Sequence, residues 1–390
     1  MKIGIVTDTY LPRLGGGELY CYHLARFFQR NSFEVKIFTR LEGNINYSSF
    51  KDELRIKRVF WGRGIFSQLK FFWQMYNFLK DVDSIHAIYC HRFAAFAALS
   101  KIFNRKPLVI TLEGLGILNF SGNDWYHAKI NALYRWISLK GANKIIASSK
   151  EFEEIALRYV DQKKIAYLPN SVDLSKFDIN KFSSERLERK YNNKKVILTV
   201  RRLVPKNGIQ FLVESAPFII QKTPEVKFVI VGWGWMEDYL KKRVKELRLG
   251  NYFDFAGRVE NDQIVNYLTL ADVVVFPSTA EATSIACIEA MAMKKAIVAS
   301  KVGGYFDLIE DNKNGILVDL VGHQDSRYEA PMDLPVAVKQ NFANAINKLL
   351  NDINLREQFG SASYKLVQKK FSWENNIKKI IKIHLDLLNK

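Results

Sequence analysis

Residues 271–304, ADVVVFPSTAEATSIACIEAMAMKKAIVASKVGG, leave few folds open to this chain. Ala271 to Pro277 is a valine-rich apolar run without alternation, the pattern of a strand buried on both faces of a parallel sheet. Ser278 to Thr283 is small and polar and predicts a loop. From Ser284 the apolar residues Ile285, Ile288, Ala292 and Met293 recur at helical spacing. Ala296 to Ala299 reads as a second buried strand, and Gly303-Gly304 turns the chain again. This is a unit of an α/β fold. It sets Glu281 in the loop at the carboxyl end of a strand and Glu289 about one helical turn into the following helix. Open α/β sheets bind ligands at that edge.

A sugar nucleotide fits this arrangement. A helix that starts near Ser284 leaves its first N–H groups unpaired and partly positive, and such a terminus holds a diphosphate. The loop carboxylate Glu281 can accept from sugar hydroxyls, and Glu289 can take both hydroxyls of a ribose. The plain alternative makes them a solvated loop residue and a surface helix residue.

The segment resembles the signature of retaining glycosyltransferases of GT-B fold, glycosyltransferase family 4: P277-S278-T279-A280-E281, then E289-A290-M291-A292, A296-I297-V298-A299 and V302-G303-G304. The Glu-x7-Glu spacing is kept. Ala282 replaces the usual glycine after the first glutamate, Thr283-Ser284 an aromatic-glycine pair, and Lys294-Lys295-Ala296 a turn of small residues and proline. Further stretches resemble family elements in the family's order. They are the loop Pro12-Arg13-Leu14-Gly15-Gly16-Gly17-Glu18 after the strand KIGIVTDTY, Leu168–Asp173, Thr199–Gly208, Val231-Gly232-Trp233-Gly234 and Phe255–Val259.

The resemblance implies two Rossmann-like, doubly wound α/β domains facing across a cleft. The expected bounds are 1–172 for an acceptor domain, 196–370 for a nucleotide-sugar domain, and 371–390 for a helix crossing back. It implies a donor site of Gly16, Gly17, Arg202, Lys206, Asn207, Gly232, Gly234, Arg258, Val259, Glu281, Thr283, Ser284, Ile285 and Glu289. Arg202 and Lys206 would stabilise charge on the departing diphosphate. The family lysine usually falls at the position of Asn207, and the role is assigned to Lys206. After the buried strand Pro107–Leu112 the family usually has a histidine. Here Glu113-Gly114 stands instead, and Glu113 is expected in the site on the acceptor side. Four residues are thus expected to be catalytic: Glu281, Glu113, Arg202 and Lys206. His86, Phe71 and Trp73 are expected in acceptor binding or at an interface.

Three scattered cysteines have no metal-ligand spacing and leave an odd thiol, as in a reducing cytoplasm. No metal and no cofactor are expected. Asp81-Val82-Asp83 resembles a metal-binding Asp-x-Asp and reads better as a loop before a strand. Asp173 to Lys195 reads as a polar link, Val321 to Leu334 as a surface loop, and Ser372 as the cap of a final helix. The formal net charge of +18 calls for an anionic partner, and no nucleic-acid motif is present. The segment WGRGIFSQLKFFWQMYNFLK (61–80) sets Arg63, Lys70 and Lys80 among aromatics. It suits either a peripheral helix on an anionic membrane or one packed on the sheet.

The expected function is transfer of a sugar from a UDP, GDP or ADP sugar to a hydroxyl of a lipid-linked or growing glycan, at a cytoplasmic site. A non-catalytic sugar-nucleotide-binding or membrane scaffold is the alternative from another class. An NAD-dependent oxidoreductase fits less well, because Gly15-Gly16-Gly17 lacks the GxGxxG spacing.

Overall fold

The computed structural model describes residues 1–12, 15–43, 47, 54–62, 64–113, 125–178, 189–320 and 333–389, with the backbone alone at 125–128. Arg13, Leu14, Arg63, Gly114, the middle of the Asp173–Lys195 link and most of the Val321–Leu334 loop lie outside the described residues. The chain divides into two units, Met1–Asn170 with Trp373–Lys390, and Ser171–Ser372.

The first unit is a seven-stranded sheet in the order β3-β2-β1-β4-β5-β6-β7. The strands are β1 Lys2–Val6, β2 Glu34–Arg40, β3 Arg55–Val59, β4 Ser84–Ile88, β5 Leu108–Leu112, β6 Lys144–Ala147 and β7 Ile165–Tyr167. All pairings are parallel. Every residue of β4 and β5 is buried, as parallel strands covered on both faces require. The helices are α1 Gly16–Arg30, α2 Ile65–Leu79, α3 Arg92–Asn104, α4 Trp125–Gly141 and α5 Lys150–Leu157. The strand order reverses between β1 and β4, so the loops after these strands meet at a switch point. Asp81 pairs with Lys36, and Asp83 accepts from the Lys2 backbone N–H at 2.7 Å. The Asp-x-Asp run thus ties off the start of β4.

The C-terminal helix Trp373–Leu388 belongs to this unit and packs on α1. Its Trp373 is buried, with its ring stacked on Phe27 at 5.4 Å between centroids. One turn from its end His384 enters the core, where its Nε2 lies 3.0 Å from His86 Nδ1 and its Nδ1 2.7 Å from Ser84 Oγ. His86 Nε2 completes the chain 2.7 Å from Thr111 Oγ1. His86 is fully buried with both ring nitrogens occupied. It is a core histidine, which corrects its expectation as an acceptor residue.

The second unit repeats the pattern as a six-stranded parallel sheet in the order β10-β9-β8-β11-β12-β13. Its strands are β8 Lys195–Val200, β9 Val226–Val231, β10 Phe253–Gly257, β11 Val273–Phe276, β12 Ala296–Ser300 and β13 Ile316–Val318. A core lies on each face. Phe211, Phe228, Phe342 and Phe359 build one, and Phe276, Met291, Tyr305 and Phe371 the other. Val172, Phe177 and Tyr191 pack into the second core, which anchors both ends of the link to this unit. The switch point falls between β8 and β11.

The buried histidine pair makes stability depend on pH. Burial lowers the His384 imidazole to about 3, and burial followed by the neighbouring ring lowers His86 well below its ordinary value. Both rings are neutral when folded, whereas an unfolded histidine protonates below about pH 6.5. The unfolded chain therefore binds more protons, and stability falls below that pH by up to about 1.4 kcal/mol per unit for each ring. Urea unfolding should show a shallower loss between about pH 6.5 and 5 for His384→Gln than for the native chain. Identical slopes would remove these rings from the acid response.

Candidate functional site

Glu281 lies in the loop after β11 and Arg201 directly follows β8, so the two flank the switch point of the second unit. Arg201 donates to the Glu281 carboxylate and to Ser278 Oγ, and its other terminal nitrogen donates to Ser284 Oγ at 3.2 Å. Its side chain is 10% exposed and that of Glu281 15%. Burial works against the guanidinium charge, but Glu281 beside it raises the pKa above the ordinary value. The second Glu281 oxygen accepts from the Ala282 N–H at 3.2 Å.

Backbone contacts fix this loop. Thr279 N–H donates to Lys206 C=O at 2.8 Å, and Gly304 N–H to Glu281 C=O at 2.9 Å. Gly303 has φ +43°, and a Cβ there would lie 1.9 Å from the Glu281 carbonyl oxygen. Only glycine lets the turn after β12 close on the carboxylate's own backbone. Gly232, at φ +144°, plays the same part against the Arg201 carbonyl, which a Cβ would meet at 1.8 Å. Gly234 approaches Leu203 in the same way.

The helix Ile285–Ala292 begins where the sequence placed it. Ser284 is its N-cap and accepts from Cys287 N–H at 3.3 Å. Ile285 is its first residue, and half-buried Thr283 precedes the cap. Glu289, one turn in, is buried and hydrogen-bonded to Asn261, which is in turn bonded to the Lys176 ammonium. Burial raises the Glu289 carboxyl to about 7, against the pull of Lys176 and Asn261. The bland surface-residue reading therefore fails for Glu289.

Arg202 is exposed, with its guanidinium 5.7 Å from the Trp233 ring centroid. Lys206 lies in the same loop. Burial lowers its pKa, as do Arg201 and Arg202, while Glu281 acts in the other direction. Asn207 is buried and its amide donates to Arg202 C=O at 2.7 Å, so it staples its own loop. Arg258 is exposed and 3.8 Å from Glu260, and Val259 packs against the core.

In the first unit Gly16 opens α1 and is exposed. Gly17 faces Tyr89, whose hydroxyl a Cβ would meet at 1.8 Å. Its missing side chain makes room for a tyrosine. Glu18 is buried and accepts from Thr9 Oγ1 at 2.5 Å. Glu113, at the end of β5, is buried and accepts from Asn170 Nδ2 at 3.2 Å. Burial and then the Glu113 charge raise the Tyr20 phenol, whose hydroxyl lies 3.3 Å from Thr111 Oγ1. Phe71 is 1% exposed, wedged against Phe38, Trp61 and Phe93. It is a core residue, which corrects its interface expectation. Trp73 is 48% exposed.

The sequence reading missed Arg201, Lys176, Asn261 and Asn170. A signal existed for Arg201. Successive residues at a strand end point to opposite sides, so Arg201 and Arg202 could not share one role.

The chain matches Glycosyltransferase Family 4 over residues 14–176 and Glycosyl transferases group 1 over residues 181–326. It is 28% identical to an uncharacterized glycosyltransferase of Methanocaldococcus jannaschii, over 98% of both chains. It is 28% identical to the UDP-Gal:alpha-D-GlcNAc-diphosphoundecaprenol alpha-1,3-galactosyltransferase of Escherichia coli, over 91% of this chain and 94% of that one. Among solved structures, Anabaena HepE in complex with UDP and glucose superposes with a TM-score of 0.78 at 20% identity, covering 98% of this chain and 99% of that one.

The buried ion pair yields a stability test. Arg201→Met removes one partner of a buried ion pair, which typically costs about 3–5 kcal/mol, whereas the Arg201→Met/Glu281→Leu pair should cost less than Arg201→Met alone. Urea midpoints for the single and double variants check this. A double variant no more stable than Arg201→Met would mean that the pair does not hold the loop.

Proposed function

Because the chain belongs to the GT-B glycosyltransferases of family 4 type, we propose that it moves a sugar, with retention, from a UDP-sugar to a hydroxyl of a lipid-linked or growing glycan. The observation that carries this reading is the grouping of Glu281, Lys206 and the Ser284-capped helix terminus on one sheet edge, with Glu289 buried one turn on. HepE was solved with UDP and the E. coli relative is named for UDP-Gal, which supports UDP as the nucleotide. The name of that relative gives a diphosphoundecaprenol acceptor, which supports a lipid-linked one here. A peripheral contact with an anionic membrane accompanies such an acceptor.

In this reading the diphosphate sits on the free N–H groups at the start of helix Ile285–Ala292. Arg202 supplies planar contact and Lys206 a point charge. Glu289 accepts the ribose hydroxyls. Glu281, held by Arg201, accepts from hydroxyls of the sugar with its remaining lone pairs. The acceptor oxygen attacks on the face the diphosphate leaves. The C–O bond to phosphate breaks as the new glycosidic bond forms, and the departing phosphate oxygen takes the acceptor's proton. No enzyme nucleophile enters. Glu113 is the acceptor-side carboxylate, in the position the family gives to histidine.

A thermal-shift panel of UDP-, GDP- and ADP-sugars, with NAD alongside, tests this first. A ligand at about 100 times its Kd stabilises by roughly 2.7 kcal/mol, and the UDP-sugars should give the shift. A panel with no response, or a response to NAD alone, would overturn the reading. Arg202→Ala and Lys206→Ala should each lower turnover by about 10²–10³, and Asn207→Ala should act through loop stability instead. Glu281→Gln should lower turnover far more than donor affinity. Glu113→Ala should lose transfer yet keep UDP binding, and Glu113→His should retain part of the activity.

Glu289 predicts a pH dependence. A ribose hydroxyl donates to the carboxylate, so UDP affinity should weaken as pH falls through about 7, where the buried carboxyl takes up its proton. Glu289→Gln should bind UDP more weakly at pH 8 and be flat over the same window in calorimetric titration. A native profile equally flat would take Glu289 out of the nucleotide site.

A further inference from the structure

α2, α3 and α4 carry six Lys and Arg residues and no Asp or Glu over 15, 13 and 17 residues. The next helix, α5, has three glutamates within 8 residues. The acid-free helices also bear large exposed apolar side chains. On α2, Phe71, Met75 and Phe78 point into the core while Phe66, Leu69 and Trp73 are exposed, Phe66 at 85%. On α4, Lys129, Leu133, Trp136 and Lys140 form one exposed stripe at helical spacing. On α3, Phe103 is 57% exposed.

These side chains are neighbours. α2 packs on α3 and α3 on α4. The Trp73 and Phe103 rings lie 5.9 Å apart. Phe96 of α3 reaches Phe72 of α2 at 6.1 Å on one side and Tyr134 of α4 at 6.2 Å on the other. Ala94, Ala95, Ala97 and Ala98 keep α3 low between its neighbours. The exposed cations Lys70, Arg105, Lys129 and Lys140 stand among or beside the apolar residues. Lys101 is committed elsewhere, donating to Gly141 C=O and Asn143 Oδ1, each at 2.6 Å.

We propose that this three-helix face docks on an anionic lipid bilayer, with Phe66, Leu69, Trp73, Phe103, Leu133 and Trp136 entering the acyl boundary and the flanking lysines and Arg105 contacting headgroup phosphates. An exposed apolar patch of this kind marks a docking surface. Its charge selects the occupant, since three neighbouring helices with Lys and Arg and without Asp or Glu suit a negative partner. Trp and Phe on one side with Lys and Arg around them is the composition of an interfacial element. The face gives a surface to the lipid-acceptor reading above and rests on that reading only for its purpose.

Flotation of the full chain with extruded vesicles tests it, with no sugar nucleotide present. The native chain should bind vesicles of phosphatidylcholine with about a third phosphatidylglycerol at least tenfold tighter than phosphatidylcholine alone, and high salt should weaken binding. Phe66→Ser/Trp136→Ser should lower affinity for the anionic vesicles by about tenfold or more. Lys70→Gln and Lys140→Gln should each lower it about fivefold. Both sets lie at exposed positions and should melt like the native chain. Equal binding to the two vesicle types, or native binding by the apolar variant, overturns the proposal. So does a native dimer in sedimentation that the apolar variant turns to monomer, which would assign the face to a second copy of this chain. Vesicle binding without UDP-sugar turnover would instead sink the transferase reading and leave the membrane face standing.

Discussion

The second unit is organised around two opposite charges taken out of water. Removing Arg201 and Glu281 from solvent costs several kcal/mol per ion, and mutual attraction offsets this only where hydrogen bonds satisfy the remaining donors and acceptors. Ser278, Ser284 and the Ala282 N–H provide them. Ser278 is itself held 3.2 Å from the Tyr305 hydroxyl, and its carbonyl accepts from Ser300. The pair therefore locks three segments together: the end of β8, the loop after β11 and the helix cap at Ser284. A carboxylate fixed this way points in one direction before any ligand arrives, which is the condition for electrostatic stabilisation without reorganisation.

That lock depends on the topology. β8 and β11 are adjacent parallel strands, paired at Val273–Ile197 and Val274–Leu198, although far apart in the chain. Parallel pairing puts both carboxyl ends on one edge, and the reversal of strand order there keeps the two loops from being covered by a crossover. The first unit repeats the device with different chemistry. Its edge gathers Glu18 after β1, Tyr89 after β4 and Glu113 after β5. Glu113 is bonded to a neutral amide, where Glu281 is bonded to a guanidinium. Under the proposed function, the amide-held carboxylate is the one that meets acceptor hydroxyls, which both donate and accept.

The sequence was legible where one local rule governed. The valine run of β11, the Ser284 cap and the buried β12 follow from hydrophobic periodicity and capping alone. It was less legible where partners come from distant segments. Lys176 and Asn261 reach Glu289 from different elements, and Asn170 meets Glu113 across 57 positions. Local spacing carries no trace of such meetings. His86 stands near the end of a strand and was expected on the acceptor side, but its neighbour His384 lies 298 positions away. Gly17 was expected in the donor site, and the space that a side chain there would take is filled by Tyr89. Lys294, which departs from the small-residue turn of the family, takes the left-handed φ of +54° itself. Its ammonium lies 5.0 Å from the Tyr364 ring centroid. That contact is of the size needed to offset much of the roughly 1–2 kcal/mol a side chain loses in that conformation.

The aromatic segment around α2 shows why periodicity alone could not choose between a membrane helix and a core helix. Apolar residues run nearly all the way round it, so its pattern has no polar face to orient by. The structure divides them, with Phe71, Met75, Phe78 and Leu79 buried and Ile65, Phe66, Leu69 and Trp73 outside. Core packing explains the first set and gives no account of the second, since a soluble face would carry charges there. The composition of α3 and α4 supports the proposed membrane face, because neighbouring helices with independent sequences share the same lack of carboxylates and the same exposed rings. Chance exposure on one helix would not extend across the ring contacts to the next two. The surface is therefore shared by three neighbouring helices, and part of the excess positive charge of the chain stands there among exposed apolar side chains.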